Sequence, residues 1–279
     1  MKHIIRLAAV ILAAVMIFAV ADRLPSAINE LSCIAASTEV TSDSKYSGSL
    51  ILVNNKHRYR NTGEEFVKLY DEKTDSFFIG STEITLSKIA VKPLCDMFDA
   101  FKNETGLKKI NVISGYRSVE SQQEIYKQKA IRYGNLYAKK YVQTPGFSEH
   151  HTGLCVDVSI FNEADGSSED FDGTGKYEWF SKNAWKYGFV VRYPEGKEKV
   201  TKIGYEPWHF RYVGVPHAYY MTKHGLCLEE YLELLQSKTK DEPLKFKCGS
   251  KTYKVWHSDK KPKGKSFSGD NYSGYIVWK

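Results

Sequence analysis

SEHHTGLCVDV, residues 148–158, sets two imidazoles, a thiol and two carboxylates against an alternating apolar run. Residues 154–160 are rich in β-forming types, and Asp157 stands between Val156 and Val158, with Ile160 beyond. Successive side chains of a strand face opposite ways. The two valines therefore claim the core face and Asp157 the other, where a carboxylate needs a partner. Outward from this strand the pattern stays short and irregular. Residues 50–53, 110–113 and 189–192 read as strands; 85–102, 119–141, 177–187 and 219–235 read as helices. The helix at 119–141 follows a Ser118 cap, with Ser121 and Glu124 also spaced as a capping box. There is no βαβ period and no glycine-rich fingerprint. The expectation is an α+β domain with a small, mainly antiparallel sheet and helices on one side, not a doubly wound fold.

A second cluster, EPWHFRYVG at 206–214, adds Glu206 and His209. Two imidazoles and one carboxylate, His150, His209 and Asp157, suit an open catalytic Zn²⁺ site with water in the fourth position. His151 is the rival to His150. Glu206 is then the spare acid, placed to take a proton from water and pass it to a leaving amine. A third cluster, SGYRS at 114–118, lies between a strand and the long helix. Arg117 there offers a fixed cation for an oxyanion or a substrate carboxylate. Gln122, one turn into the helix, offers an amide donor on the same side. His57, His217, His224 and His257 have no acidic companion motif and read as surface or structural residues.

Together these clusters, with NAWKYGFVVRYP at 183–194, resemble the VanY-type D,D-carboxypeptidases. The resemblance covers 49–235 and implies the compact α+β fold shared with VanX dipeptidases and the zinc domain of hedgehog proteins. It implies one zinc ion per chain on His150, Asp157 and His209, Glu206 as base, and Arg117 stabilising the transition state. Arg117, Gln122, Ser148 and Tyr187 would bind the terminal carboxylate or line the pocket. The implied reaction is release of D-Ala from peptidoglycan stem peptides, with a bearing on glycopeptide resistance. L,D-carboxypeptidase action on tetrapeptide stems is the near alternative, and a non-catalytic wall-binding zinc domain the distant one. Cys155 departs from the family's Ser-x-His-x-x-Gly-x-Ala-x-Asp pattern, standing where alanine is usual, and reads as packing.

The flanks read differently. Lys2 and Arg6 precede an apolar run from Leu7 to Val20 and a small-residue stretch, as in a signal peptide or membrane anchor over 1–21. Residues 22–48 read as a linker, so the expectation is an extracytoplasmic enzyme, held at the membrane if the segment is retained. Residues 236–279 read as a Lys-rich β appendage with strands in 244–256 and 274–278. The chain's net charge is +7, and residues 238–265 alone carry ten Lys against Asp241, Glu242 and Asp259, which equals the whole excess. The body is close to neutral, so no nucleic-acid groove is expected there, whereas the tail suits anionic cell-wall polymers. With 42% hydrophobic and 26% charged residues, collagen-like and disordered classes are excluded. Five cysteines show no zinc-knuckle spacing, and Cys227–Cys248 is the nearest pair for a disulfide.

Overall fold

The computed structural model describes residues 40–264 and 266–279. The 1–21 segment, the linker up to residue 39 and Cys33 lie outside the described residues. No helix among the described residues is long and apolar enough to cross a membrane.

In chain order the strands are β1 (Phe66–Lys68), β2 (Phe78–Ile79), β3 (Thr85–Ser87), β4 (Ile110–Ser114), β5 (Cys155–Phe161), β6 (Ser168–Asp170), β7 (Phe189–Tyr193), β8 (Glu206–Tyr212), β9 (Leu244–Cys248), β10 (Lys251–Ser258), β11 (Phe267–Gly269) and β12 (Tyr275–Trp278). The helices are α1 (Leu69–Glu72), α2 (Lys88–Thr105), α3 (Val119–Tyr133), α4 (Asn135–Tyr141), α5 (Glu178–Asn183), α6 (Glu198–Thr201), α7 (Val215–His224) and α8 (Leu228–Gln236). The central sheet runs β2-β4-β5-β8-β7, with β6 on β5. Only β2–β4 is parallel, so the sheet is mainly antiparallel and the α+β expectation holds.

Period-two alternation organises the middle of this sheet. Val156 and Val158 of β5 and Phe210 of β8 enter the main core with Phe98 and Phe101 of α2 and Phe180 of α5. Asp157 and His209 are direct cross-strand partners, as are Cys155 and Arg211. The face opposite the core therefore carries the chemistry. Gly153 admits this arrangement: it turns the chain into β5 at φ +63°, and a Cβ there would lie 2.6 Å from Phe66 and 2.7 Å from the Ser87 nitrogen.

Several local expectations change. Residues 50–53 are buried but form no strand, because apart from the Leu52 N–H, which donates to the Asp270 carbonyl, their partners are side chains from distant segments. Ser268 Oγ accepts from the Leu50 N–H, Asn271 Nδ2 donates to the Leu52 carbonyl, and Arg211 Nη2 donates to the Ser49 and Ile51 carbonyls. The 119–141 stretch is two helices, broken at Gly134 with φ 91°, although Ser118 does cap the first by accepting from the Ser121 N–H. The 219–235 stretch is likewise α7 and α8, separated after Gly225. Order starts before Ser49: Ser44–Tyr46 is a 3₁₀ turn against β11, with the Gly269 N–H donating to the Ser47 carbonyl. Strands β9–β12 form a four-stranded sheet. Val255 and Ile276 of that sheet share a second core with Leu50, Leu52, Met221 and Leu232. Cys227 and Cys248 are free thiols, as are Cys95 and Cys155.

Candidate active site

One cleft of about 280 Å³ collects most of the residues singled out by sequence, with Arg117, Gln122, Ser148, His150, Asp157, Glu206 and His209 all on its wall. Asp157 is its centre: Oδ2 lies 3.1 Å from His150 Nε2 and Oδ1 lies 2.8 Å from His209 Nδ1. The other nitrogen of His150 is fixed, since Nδ1 lies 2.7 Å from the Gly115 carbonyl. That backbone bond leaves Nε2 aimed at the cleft, as in metal-binding histidines whose other ring nitrogen is fixed by a carbonyl. The neighbouring His151 is spent on structure. Its Nδ1 donates to the Arg117 carbonyl at 2.7 Å and its Nε2 accepts from the Gly146 N–H at 3.1 Å, while burial pushes its pKa down to about 4. Of the two adjacent histidines, His150 rather than its rival His151 turns a ring nitrogen to Asp157.

Glu206 and His209 lie three apart on one strand, a spacing that regular alternation would send to opposite faces. The β7–β8 register shifts between Val191 and Tyr193, leaving three residues, Pro207 to His209, opposite Arg192 alone. The irregularity re-aims the strand end, and Glu206 Oε2 comes within 3.9 Å of His209 Nδ1. Burial pushes the Glu206 carboxyl up to about 7, His209 and His150 pull it down, and Asp157 raises it further.

Arg117 is held rather than free. Nη1 donates to Gln122 Oε1 and Nη2 to Ser114 Oγ, both at 2.8 Å, and Nη2 is 3.9 Å from Asp157 Oδ2. Gln122 is 1% exposed and its Nε2 donates to the Gln143 carbonyl at 2.7 Å. Its oxygen is committed to the arginine and one of its two Nε2 hydrogens to that carbonyl, so Gln122 orients Arg117 while its second N–H stays uncommitted to either partner. Tyr187 is not brought to the cleft: it packs on the main core near Trp179, whose ring centroid is 6.3 Å away. The tyrosines on the cleft wall are Tyr141 and Tyr193, the latter with its ring 5.1 Å from that of His209.

Sequence reasoning missed what lies behind His209. Glu149 is 1% exposed and accepts from Arg192 Nε at 2.8 Å and from Arg211 Nη1. Arg192 also forms a two-pronged pair with Glu229, both contacts at 2.8 Å. Both arginines are completely buried. Burial raises the Glu149 carboxyl, but the two guanidiniums outweigh it and hold it well below the carboxylate range. Its Oε2 faces His209 Nε2 at 3.4 Å, and neither atom has a hydrogen-bond partner. The signal was present in the sequence: Arg192 and Arg211 sit inside apolar strands, and the argument that gave Asp157 a partner applies to them too.

The donor chemistry fits a divalent cation. Without an ion, burial would lower the His150 and His209 pKa values, but the adjacent Cys155 and Asp157 anions outweigh it and raise both. The cluster is thus set up to hold positive charge, and two imidazoles with a carboxylate are the donor set of catalytic zinc sites. His150, Cys155 and His209 also have ligand atoms all within 4.8 Å of one another.

Comparison with known proteins gives a consistent answer. Residues 83–215 match the family VanY, D-alanyl-D-alanine carboxypeptidase. A D-alanyl-D-alanine carboxypeptidase of Enterococcus faecium is 31% identical over 223 residues, 78% of this chain and 67% of that protein. The bifunctional D-Ala-D-Ala dipeptidase and carboxypeptidase VanXYC of Enterococcus gallinarum is 40% identical over 47% of this chain and 70% of its own length. Among solved structures, the D,D-dipeptidase VanXYg bound to a D-Ala-D-Ala phosphinate analogue superposes with a TM-score of 0.74 at 30% identity, covering 85% of this chain and 95% of that one. A D,D-pentapeptidase VanY in complex with Zn(II) gives 0.55 at 34% identity, over 66% of this chain and 98% of that one. The LD-carboxypeptidase LdcB gives 0.54 at 37% identity, over 65% and 84%.

Proposed function

Because the chain belongs to the VanY family of D-alanyl-D-alanine carboxypeptidases, we propose that it releases the terminal D-Ala of peptidoglycan stem peptides with one zinc ion. His150, Asp157 and His209 would hold that ion. The observation that carries this reading is the convergence of both Asp157 oxygens with His150 Nε2 and His209 Nδ1, with Glu206 beside them in one cleft. When bound, zinc supplies Lewis-acid polarisation of the scissile carbonyl and acidifies water.

The chain's own groups do the rest. Glu206, with a carboxyl near neutrality, accepts the proton of the attacking water and returns it to the leaving amine. Arg117, locked by Gln122 and Ser114, presents a preorganised cation to the developing oxyanion. Ser148 lines the same cleft and serves the substrate carboxylate. Glu149 faces the far nitrogen of His209 at 3.4 Å, where its charge favours the ring orientation that turns Nδ1 to Asp157.

The apolar run near the N-terminus supports an extracytoplasmic location, where such stems are met. A contribution to glycopeptide resistance would follow from loss of D-Ala-D-Ala termini. The Lys-rich sheet supports attraction to anionic wall polymers: exposed Lys245, Lys254 and Lys279 are cross-strand neighbours on β9, β10 and the residue after β12. The second reading, L,D-carboxypeptidase action, is favoured by the 37% identity to LdcB.

Purified protein incubated with defined pentapeptide and tetrapeptide stems separates the two. D-Ala release from the pentapeptide, abolished by a chelator and restored by zinc, is the expected result. Release from the tetrapeptide alone would give the second reading, and metal-independent release would remove zinc from both.

A further inference from the structure

We propose that Cys155 is a ligand of the ion held by His150 and His209, so that the site owns a thiolate donor besides Asp157. The inference rests on reading those histidines as a metal pair. Alternation along β5 puts Cys155 two residues before Asp157, on the same face of the strand. The thiol is completely buried, and its sulfur and one nitrogen of each imidazole lie within 4.8 Å of one another. Among the described residues this is the group of three His, Cys, Asp or Glu side chains that meets that spacing. His209 is 3% exposed, so the ring beside the thiol is shielded from solvent. A zinc ion with Zn–S of about 2.3 Å and Zn–N of about 2.0–2.1 Å draws such donors to roughly 3.5 Å apart, a small contraction from the arrangement here.

A packing role needs only a methyl group at this position. A sulfur adds a soft donor, which favours zinc or cadmium over manganese or magnesium. Four protein donors would close the shell, whereas catalysis needs an open position, so the thiolate and Asp157 alternate at the ion. The thiol proton leaves to solvent when sulfur binds, as for any thiolate ligand.

Cobalt substitution of the full chain tests this without reference to turnover. Wild type loaded with Co²⁺ should show a near-ultraviolet thiolate-to-cobalt charge-transfer band. That band should vanish in both Cys155→Ala and Cys155→Ser. The same variants should bind Cd²⁺ more weakly by at least the roughly 10–100-fold that loss of an outer metal-site partner costs. The paired variants guard against one that folds poorly and exclude the other cysteines as the source of the band. One equivalent of Co²⁺ bound by wild type with no charge-transfer band would overturn the thiolate while leaving the metal site standing. No binding of Co²⁺ or Cd²⁺ by any of the three proteins would overturn the metal pair itself.

Discussion

Glu149 and Glu206 flank the same histidine and live in opposite electrostatic settings. Glu149 Oε2 is 3.4 Å from His209 Nε2, and Glu206 Oε2 is 3.9 Å from Nδ1. Both are removed from water. Glu149 is clamped by Arg192 and Arg211, which overcome its burial and keep it ionised. No arginine or lysine is paired with Glu206 among the described salt bridges, and burial dominates there, lifting the carboxyl to about 7. The difference teaches a division of labour: a carboxylate held by fixed arginines is a permanent charge, whereas one whose burial outweighs its histidine neighbours can exchange a proton at neutral pH.

The comparison is broken most severely at Glu206. Glu206→Gln keeps shape and hydrogen bonding but cannot accept a proton, so kcat should fall by the roughly 10²–10⁴-fold that general acid–base catalysis supplies. Zinc content should be unchanged, because the residue is beside the donor set and outside it. Turnover and metal analysis on one preparation check this together. A variant that keeps full activity, or loses its zinc while still folded, would reverse the roles of base and ligand.

At Glu149 the same substitution should act on stability. Glu149→Gln leaves buried guanidiniums short of an anion, and breaking a buried pair in this way costs about 3–5 kcal/mol. Zinc affinity should also drop by roughly 10–100-fold, the scale for losing an outer partner of a metal-bound histidine. Denaturant midpoints and competitive zinc titration measure the two effects. If both match the parent, the cluster only fills space and the contrast between the glutamates dissolves.

How much of this was legible depended on whether a signal was local. Asp157 was readable because alternation set it against Val156 and Val158, and both valines do enter the core. Residue type alone did not separate His150 from His151; the family's Ser-x-His pattern chose His150, while the structural difference lies with two backbone groups, the Gly115 carbonyl and the Gly146 N–H. The apolar run 50–53 imitates a strand, yet its backbone is met mostly by side chains more than 150 positions away, as the 218-residue separation of Leu50 and Ser268 shows. Tyr187 and Tyr193 flank one short strand, and only the three-dimensional packing sends the first to the core and the second to the cleft. The continuous helix expected at 119–141 failed at a single glycine, Gly134.

In the metal-free protein the two glutamates should bend the stability curve in opposite directions. The Glu149 pKa is depressed from 4.5 by its arginines, so its contribution is complete above about pH 4.5 and is lost as pH falls below it. The Glu206 pKa is raised from 4.5 to about 7, so its contribution is complete below about pH 4.5 and is lost as pH rises through 7, by at most about 3 kcal/mol. Urea midpoints of chelator-treated protein from about pH 3 to pH 8 resolve this. Glu206→Gln should flatten the neutral limb and Glu149→Gln the acid limb. A variant that flattens the other limb would mean the two settings have been assigned to the wrong residues.

The smallest effect concerns charge without partners at the surface. Lys254 lies opposite Lys245 on β9, and its backbone exchanges hydrogen bonds of 2.9 and 3.1 Å with Lys279, so three exposed ammonium groups form one row across the sheet. Here the like charges face one another across the strands and repel. Like charges directly opposite on a sheet cost roughly 0.2–1 kcal/mol per pair, and a polyanion lying along the row would offset that cost. Replacing all three with Gln should therefore raise the melting temperature slightly at low salt, while weakening sedimentation with purified anionic wall polymer. Both differences should fade as salt shortens the screening length to about 8 Å near physiological strength. Hydrolysis of soluble stem peptides should not change, because these lysines are absent from the catalytic cleft wall. A triple variant that sediments like its parent at low salt would sink the polymer-binding role and leave the row as a small stability cost.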